Sequence, residues 1–293
     1  MFKKFIVATD LSPASDAVVS CLSGLKDYGA EDCLLLQCLS FADAASTAYS
    51  YNAESLDGLL TGQKIVLEQQ GFRVEARSVV GTPKREINRI AVHENFDLIV
   101  VGAQGQSLAE EKLLGGVAYG VINKTSKPVL VVPVEKEPGE EKACRPVDRC
   151  GFSDHVLFAT DFSAIADNAF IQLEKLVAVG VKKVTLVHIQ DKTKLEQHLA
   201  SRLDEFNQID HERLEDAKQA LLKRGAPEID MEVLYGTPYK EITRLVRERN
   251  VQMVVMGTQG LGFVGEIFLG SVSHNVIRHS VAPVLLIPVP REP

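Results

Sequence analysis

Short apolar runs recur along the chain and are separated by longer stretches in which apolar residues follow helical spacing. Runs such as Leu98–Val101 and Val254–Met256 are apolar at every position, which is typical of strands in the middle of a parallel sheet. Runs rich in β-branched residues and leucine predict strands at 4–9, 33–39, 73–80, 98–101, 129–132, 155–160, 183–189, 230–235, 252–256 and 283–287.

Local signals for helix starts lie between these strands. Ser12-Pro13, Thr82-Pro83 and Thr237-Pro238 each place a hydroxyl residue before a proline, which predicts a side-chain cap followed by the first helical residue. Apolar residues at helical spacing predict a long helix within 194–224. Alternating strands and helices predict an α/β protein with a doubly wound parallel sheet, which binds ligands at the carboxyl ends of its strands.

The second half of the chain repeats the first. The offset is 151 residues at the first match and 155 at the later ones, so the second copy has about four extra residues, which we place in its long second helix. The matching pairs are Phe5–Ser12 with Val156–Ser163, Gly81–Ile87 with Gly236–Ile242, Leu98–Gly105 with Met253–Gly260, and Lys127–Pro133 with Ala282–Pro288.

A polar segment separates the two copies. Residues 135–148 lack an apolar period and contain Pro138 and Pro146, as expected of a linker. We therefore predict a first domain at 1–136, a linker at 137–151 and a second domain at 152–293.

Composition narrows the class of protein. Charged residues make up 24% and hydrophobic residues 45%, and the net charge of −7 does not favour nucleic acid as a partner. The sequence has no apolar run long enough to cross a bilayer, and its start turns acidic too early for a signal peptide, so we predict no membrane partner and a cytoplasmic location.

The five cysteines fall into two groups. Cys21, Cys33 and Cys38 lie in predicted helices or strands and are interpreted as small core residues. Cys144 and Cys150 lie close together in the linker and could oxidise, although reduced, solvent-exposed thiols are expected in a cytoplasm.

A glycine-rich loop in the second copy has the residues expected of a phosphate-binding site. Met256 ends a predicted strand, and the residues after it follow the pattern Gly257-x-x-Gly260, nine residues, then Gly270-Ser271-Val272-Ser273 at the start of the last helix. Glycines permit close backbone approach to an anion or a positive φ, and a helix N-terminus supplies free N–H donors. Asp161, just after the first strand of this copy, can accept hydrogen bonds from ribose hydroxyls or a base amine.

This arrangement resembles the universal stress protein family, and the resemblance covers nearly the whole chain apart from the linker. It implies two five-stranded domains of the adenine nucleotide alpha hydrolase-like fold, with strand order 3-2-1-4-5. It also implies that the second copy binds ATP or AMP, with Mg²⁺ compatible with ATP. The residues that the resemblance implies for this site are Thr160, Asp161, Val187, Met256, Gly257, Gln259, Gly260, Gly270, Ser271, Val272 and Ser273.

The first copy departs from the pattern. Gly116 and Ala118 stand where the second copy has two hydroxyl residues, and the loss of two donors, at roughly 0.5–1.5 kcal/mol each, predicts an affinity about tenfold weaker or more. Backbone N–H groups remain, which leaves a weak second site or a scaffold as alternatives. Residues of that site would be Asp10, Gly102, Gly105, Gly115 and Gly116.

Other interpretations compete for these residues. The loop glycines could serve only as tight turns, and Asp161, Ser271 and Ser273 could be helix caps. The pattern Gly260-x-Gly262-x-x-Gly265 fits a dinucleotide fingerprint but follows a late strand, and the chain has no acidic residue between Glu266 and Glu292 to bind a ribose. A further interpretation concerns the histidines without metal-ligand spacing, which we expect to be solvated or at edges: His188, His198 and His211.

Three function hypotheses follow. The favoured one is a cytoplasmic stress-response protein that binds adenine nucleotide in its second copy, with ATP, ADP and AMP not distinguished. The second is slow ATP hydrolysis with Mg²⁺, for which Glu266 is the one carboxylate in the loop. The third is a structural protein that binds no nucleotide.

The final strand of each copy suggests how the copies assemble. By the resemblance, single-domain members of the family dimerise through this strand, which is an apolar edge. We therefore expect 129–132 and 284–287 to pack against each other about a pseudo-two-fold axis, with Pro133 and Pro288 limiting the pairing. Further homodimerisation of the whole chain stays open.

Overall fold

The structure is a computed structural model, and it describes residues 1–41, 45, 47–104, 114–136, 144–146, 151–192, 203–225, 228–260 and 269–289. The chain divides into two compact units, Met1–Cys150 and Gly151–Pro293. Each unit contains one copy of the repeat, and we call them the first copy and the second copy. In both, parallel strands alternate with helices, as the apolar pattern predicts.

The first copy contains a five-stranded parallel sheet in the order β3-β2-β1-β4-β5. A 3₁₀ helix at Ser23–Tyr28 follows the first α-helix. The elements of the repeat are β1 (Lys4–Thr9), α1 (Pro13–Val19), β2 (Asp32–Leu39), α2 (Thr47–Gln69), β3 (Arg73–Val80), α3 (Pro83–His93), β4 (Leu98–Gly102), α4 (Gly116–Ile122) and β5 (Val129–Val132).

After the first copy's sheet, β6 (Val134–Lys136) pairs antiparallel with β7 (Cys144–Pro146). β7 also packs beside α1. A short hairpin therefore occupies part of the segment that the sequence pattern assigns to the linker; the other predicted linker residues before Gly151 lie outside the described part of the chain.

The second copy repeats this order as β10-β9-β8-β11-β12, again with parallel strands. The predicted fold class and strand order are therefore confirmed in both copies. The elements are β8 (His155–Thr160), α5 (Ala164–Ala178), β9 (Lys183–Asp191), α6 (Leu203–Lys223), β10 (Glu228–Gly236), α7 (Pro238–Glu248), β11 (Met253–Gly257), α8 (Ser271–His279) and β12 (Val284–Ile287).

The core of each copy is built on the strands that the apolar runs predict. Every residue of β5 and β12 is buried, and in β11 burial extends from Met253 to Gly257. Strands covered by helices on both faces need no polar face, which explains runs without alternation. Winding reverses beside β1 and β8, so the carboxyl ends of β8 and β11 form the crevice in which such sheets bind ligands.

Two local predictions need correction. Ser12 caps α1 as expected, because its hydroxyl accepts a hydrogen bond from Ser15 N. Thr82 and Thr237 occupy the N-cap positions of α3 and α7, but their side chains make no cap bond, and their ψ angles of 114° and 112° differ from the 162° of Ser12. Proline at the first helical position therefore marks these starts without a hydroxyl cap.

The cysteine interpretation holds only in part. Cys33 is a buried free thiol, and Cys38 is a free thiol of intermediate exposure. Cys21 is buried, as expected of a core residue, and it is also disulfide-bonded, which the sequence did not predict. Among the helices of the described residues, none is long and apolar enough to cross a membrane.

Candidate functional site

A cavity in the second copy lies at the carboxyl ends of β8, β9 and β11 and the N-terminus of α8. Ten of the eleven predicted site residues line it, all except Val187. The lining residues are Ala159, Thr160, Asp161, Ala166, Ile189, Asp191, Pro238, Ile242, Met256, Gly257, Gln259, Gly260, Gly270, Ser271, Val272 and Ser273.

Val187 lies elsewhere on β9. It is fully buried, and Ile189, two residues further along the same strand, lines the cavity instead. β9 continues to Asp191, two residues beyond the predicted end, and Ile189 lies nearer than Val187 to its carboxyl end, where the crevice is. Because alternate residues of a strand point to the same face, Ile189 is on the face that Val187 was predicted to present.

One wall of the cavity is acidic. Asp161 follows β8, and its Oδ1 accepts a hydrogen bond from Ser163 N at 3.1 Å. Ser163 caps α5 with its own hydroxyl, which accepts from Ala166 N, so Asp161 orders the turn without being the cap itself. Asp191 ends β9 and lines the same cavity. Carboxylates there suit hydroxyl or amine donors of a ligand and disfavour its phosphates.

The glycines of the loop are needed for space. A Cβ on Gly257 would lie 2.7 Å from Ile165 Cγ2, and one on Gly260 would overlap the carboxylate of Asp161. A Cβ on Gly270 would lie 3.2 Å from Gln259 Cα. None of the three has a positive φ, so close approach, and not left-handed backbone, explains them.

The opposite wall is the N-terminus of α8. Its N-cap is Gly270, which makes no side-chain cap bond, and Gly270 N donates to Thr258 O at 2.8 Å. The hydroxyl of Ser271 is at the exposed first residue of the helix, while Ser273 is buried and donates to Gly257 O at 2.9 Å. Ser273 therefore ties the helix to β11, and the N–H groups of the first turn give this wall a positive potential.

His188 departs from the solvated position expected of it. Its side chain is 13% exposed, and Nδ1 lies 2.9 Å from the carbonyl oxygen of Thr160. His211 is exposed, as expected, and His198 lies outside the described residues. Within the described ranges there is no group of three or more His, Cys, Asp or Glu residues that could hold a metal ion.

The equivalent region of the first copy is arranged differently. Asp10 accepts a 2.5 Å hydrogen bond from the hydroxyl of Ser15, which stands where the second copy has Ala166. Thr9 donates to Gln63 Oε1 at 2.7 Å, and Gln63 is buried. Polar groups at this strand end are therefore bonded within the protein.

The loop glycines of the first copy resemble those of the second copy only in part. A Cβ on Gly102 would lie 2.9 Å from Gln104 O, and Gly115 is the N-cap of α4. Gly116 has open space where a Cβ would be built, and its φ is not positive. Gly105 lies outside the described residues, as do Glu266 and the fingerprint glycines Gly262 and Gly265.

Comparisons with known proteins agree with this architecture. The profile of the universal stress protein family matches residues 1–133 and 153–288. The chain belongs to the universal stress protein family. Because the profile matches once in each half, the chain is a tandem member with two domains of this family.

Relatives resemble one copy or both. The crystal structure of a universal stress protein from Archaeoglobus fulgidus is similar over 98% of this chain and 99% of its own, with a TM-score of 0.71 and 25% identity. Universal stress protein MJ0577 from Methanocaldococcus jannaschii is 27% identical over 150 residues, which are 45% of this chain and 93% of that protein. A universal stress protein from Thermus aquaticus is 37% identical over 86 residues, covering 28% and 63%.

Four lining residues that the sequence analysis missed belong to patterns visible in the sequence. Ile189 and Asp191 continue β9 by alternation, and Pro238 and Ile242 belong to the repeated segment Gly236–Ile242, which joins the end of β10 to α7. That segment enters the crevice because every parallel strand of a doubly wound sheet ends at the same edge. The repeat itself could therefore have indicated Pro238 and Ile242.

Proposed function

We propose that this universal stress protein binds an adenine nucleotide in the cavity of its second copy and acts as a cytoplasmic stress-response protein. The observation that carries the proposal is the polarity of the cavity: Asp161 lies at one wall, and the N-terminus of α8, whose N-cap Gly270 makes no side-chain cap bond, lies at the other. A nucleotide has the matching polarity, with hydroxyls on its ribose and negative charge on its phosphates.

The orientation follows from these walls. The ribose hydroxyls donate to Asp161, and the phosphates lie at Gly270 and Ser271, where backbone N–H groups and the helix dipole favour anions. Ile189, Ile242 and Met256 supply apolar surface for the base. ATP and AMP share the adenosine part, and the acidic wall therefore does not discriminate between them.

The test compares the same substitution at equivalent positions. Asp161→Asn removes one of the two carboxylates of the acidic wall, and Asp10→Asn is its matched control in the first copy. Calorimetric titration of the full chain with ATP and with AMP, each with Mg²⁺ present, should show about tenfold weaker binding or more for Asp161→Asn, since a hydrogen bond to a charged group contributes roughly 1.5–3 kcal/mol. Asp10→Asn should change the affinity of the tight site little.

Equal losses in both variants, or none in Asp161→Asn, would contradict the assignment to the second copy. Mass spectrometry of material released from protein purified without added nucleotide gives an independent measurement. We expect an adenine nucleotide in about one equivalent per chain or less. Tight binding of a ligand without phosphate groups would point away from the α8 end of the cavity.

We also propose that the two copies form an intramolecular pair through their final strands. β5 has β4 as its neighbour within the first copy, and β12 has β11 within the second. Both strands are apolar, and such strands favour a second neighbour. Cysteines introduced at Val131 and Leu286, in a chain lacking its native cysteines, should cross-link within one chain; cross-linking only between chains would contradict the pair.

A further inference from the structure

A chain of polar contacts links the acidic wall of the cavity to α6. Neighbouring residues of a strand point to opposite faces, so Ile189 faces the cavity while His188 faces α6. There His188 Nε2 lies 3.4 Å from Asp210 Oδ2, and both side chains are only 13% exposed. Gln190 Nε2 donates to the same Asp210 oxygen at 2.8 Å, which holds the carboxylate in place.

The other ring nitrogen reaches the peptide that carries Asp161. His188 Nδ1 lies 2.9 Å from the carbonyl oxygen of Thr160, and this carbonyl shares a planar peptide unit with Asp161 N. A carbonyl oxygen only accepts, so Nδ1 must carry a proton. The contact therefore sets the direction in which the backbone enters Asp161.

Both partners of the His188 ring are acceptors, namely the carbonyl of Thr160 and the carboxylate of Asp210. A neutral imidazole has one N–H group and can satisfy only one of them, whereas the imidazolium satisfies both. In the neutral ring the unprotonated Nε2 faces a carboxylate, which is an unfavourable pairing of two acceptors. The contact with Asp210 is therefore favourable in the protonated form.

An aromatic stack supports the same turn. The rings of Phe162 and His188 have centroids 4.6 Å apart, and the guanidinium carbon of Arg213 lies 5.0 Å from the Phe162 centroid. Phe162 has a φ of 56°, which is costly for a bulky side chain and needs support from its surroundings. The face of Phe162 also favours a cationic imidazole over a neutral one.

The charged and titratable groups around His188 come from each neighbouring element. α6 contributes Asp210 and, beyond the Phe162 ring, Arg213, whereas Asp161 in the turn after β8 and Asp191 at the end of β9 line the cavity. On β10, Glu232 is next to Val233, the register partner of His188, and it is paired with Arg249. Asp210 is the one among them with a contact to the imidazole itself.

We propose that His188 and Asp210 act as positioning residues, and that protonation of His188 strengthens nucleotide binding by bracing the peptide before Asp161. The inference rests on the proposed function for the affinity that it modulates. The first copy has Gln37 at the equivalent position, and its Oε1 accepts a hydrogen bond from Ser78 Oγ at 2.8 Å. The first copy therefore has no ionisable side chain at this position.

The experiment measures affinity from pH 5.5 to 8.0 in the full chain and in Asp210→Asn. The Asn amide donates to the neutral ring as well as accepting from Gln190, so it keeps the bridge at every pH. Dividing each wild-type affinity by that of Asp210→Asn cancels protonation of the nucleotide phosphates. We expect this ratio to fall by about fivefold or more as the pH rises, the lower end of coupling between linked sites.

Two further variants sharpen the result. His188→Asn keeps a donor for the Thr160 carbonyl but does not titrate, so its affinity should follow the same pH profile as Asp210→Asn. His211→Asn removes an exposed histidine of α6 next to Asp210 and should keep the wild-type profile. A wild-type profile that runs parallel to that of Asp210→Asn would overturn the inference.

A measurement without nucleotide separates this inference from the proposed function. In spectra of the ligand-free chain, the amide resonance of Asp161 should move with pH in the wild type and stay in place in His188→Asn. If the resonance moves only in the wild type while no nucleotide binds at any pH, the proposed function is wrong and the proposed role of His188 is supported. If the resonance moves equally in both proteins, the brace is wrong whatever the affinities show.

Discussion

The two copies share a strand order but differ in what their polar side chains do at the strand ends. In the first copy, Ser15 donates to Asp10 and Gln63 accepts from Thr9, so these groups are bonded within the protein. In the second copy, Ala166 replaces Ser15, and Asp161 lines a cavity. The two copies therefore share one frame, while a single hydroxyl gives the carboxylate of the first copy an additional side-chain hydrogen bond.

The largest expected difference concerns Gly270. Gly270→Val adds side-chain atoms where even a Cβ would be 3.2 Å from the Gln259 backbone, and it obstructs the wall against which phosphates would lie. We expect nucleotide affinity to fall by about a hundredfold or more, or about 2.7 kcal/mol. Calorimetry of the full chain is the measurement.

The matched control is Gly115→Val, at the N-cap of α4 in the first copy. Its effect on the tight site should be small, because that site lies in the other copy. A similar loss of nucleotide affinity in both variants, with both proteins folded as judged by circular dichroism, would mean that the tight site cannot be assigned to the second copy.

A second prediction converts one copy into the other. Ser15→Ala removes the hydroxyl that donates to Asp10. Gly116→Ser and Ala118→Ser introduce in α4 the hydroxyls that α8 has at Ser271 and Ser273. Gly116 has open space at its Cβ and no positive φ, so Ser fits there. In a Gly270→Val background, the triple variant should bind nucleotide about tenfold more tightly than the unconverted first copy.

The reverse change serves as the control for this conversion. Ala166→Ser places a hydroxyl where it can donate to Asp161, as Ser15 does to Asp10, and should weaken the second copy by a few-fold. If Ala166→Ser strengthens binding, the hydroxyl donor at this position is not what separates the copies.

How much the sequence predicts depends on the range of the interaction. The strands follow from the apolar runs and the loop glycines from their spacing, because both are local patterns, whereas the strand order came from the resemblance to the family. Ile189 lies within the predicted strand 183–189 and was missed because the resemblance assigned the site to Val187, two residues earlier on the same face. The brace was missed because Asp210 reaches His188 from another element, which no local pattern reports.

Comparison of the two copies would have recovered part of what was missed. Ser15 and Ala166 occupy the same position of the repeat, and so do Gln37 and His188. Where one copy has a group that the other lacks, the difference marks a role that the frame itself does not require. The bond from Ser273 to the carbonyl of Gly257 could not be found this way, because a hydroxyl at a helix start has several partners to choose from.

A third prediction uses a pH-dependent contact present in one copy alone. His155 Nδ1 contacts the carbonyl of Arg249 at 3.1 Å, and at the equivalent place in the first copy Lys4 Nζ donates to the carbonyl of Glu94 at 3.2 Å. Burial lowers the pKa of the His155 imidazole below its usual value. The unfolded chain therefore binds a proton that the folded chain resists, and stability falls as the pH drops below about 6.5.

His155 Nε2 also lies 2.9 Å from Thr185 Oγ1. The double variant His155→Lys with Thr185→Leu therefore reproduces the first copy, which has Lys4 and Leu34 at these two positions. It should remove about 1 kcal/mol of the loss in unfolding free energy between pH 7.5 and 5.5, measured by urea unfolding. His93→Asn, at an exposed histidine of the first copy, should leave the loss unchanged. An identical pH dependence in the double variant would rule out His155 as its source.

The smallest expected effect concerns an ion pair whose charges are exchanged between the copies. In the first copy, Arg77 on β3 pairs with Glu94 at 2.6 Å, just after α3. In the second copy, the equivalent Glu232 on β10 pairs with Arg249, just after α7. The pairs are partly exposed, so solvent screening keeps their contribution at about 1 kcal/mol or less.

Arg77→Glu places like charges together and should lower the free energy of unfolding by up to about 1 kcal/mol, while Arg77→Glu with Glu94→Arg should recover most of it. Hydrogen bonding to Arg77 lowers the pKa of the Glu94 carboxyl, so the pair's contribution is full above about pH 4.5 and is lost as the pH falls further. Urea unfolding at pH 7 and pH 4, at low and high salt, checks both points. A double variant as unstable as the single one would mean that the first copy requires the arginine on β3 and the glutamate after α3, and that exchanging the two charges lowers the free energy of unfolding.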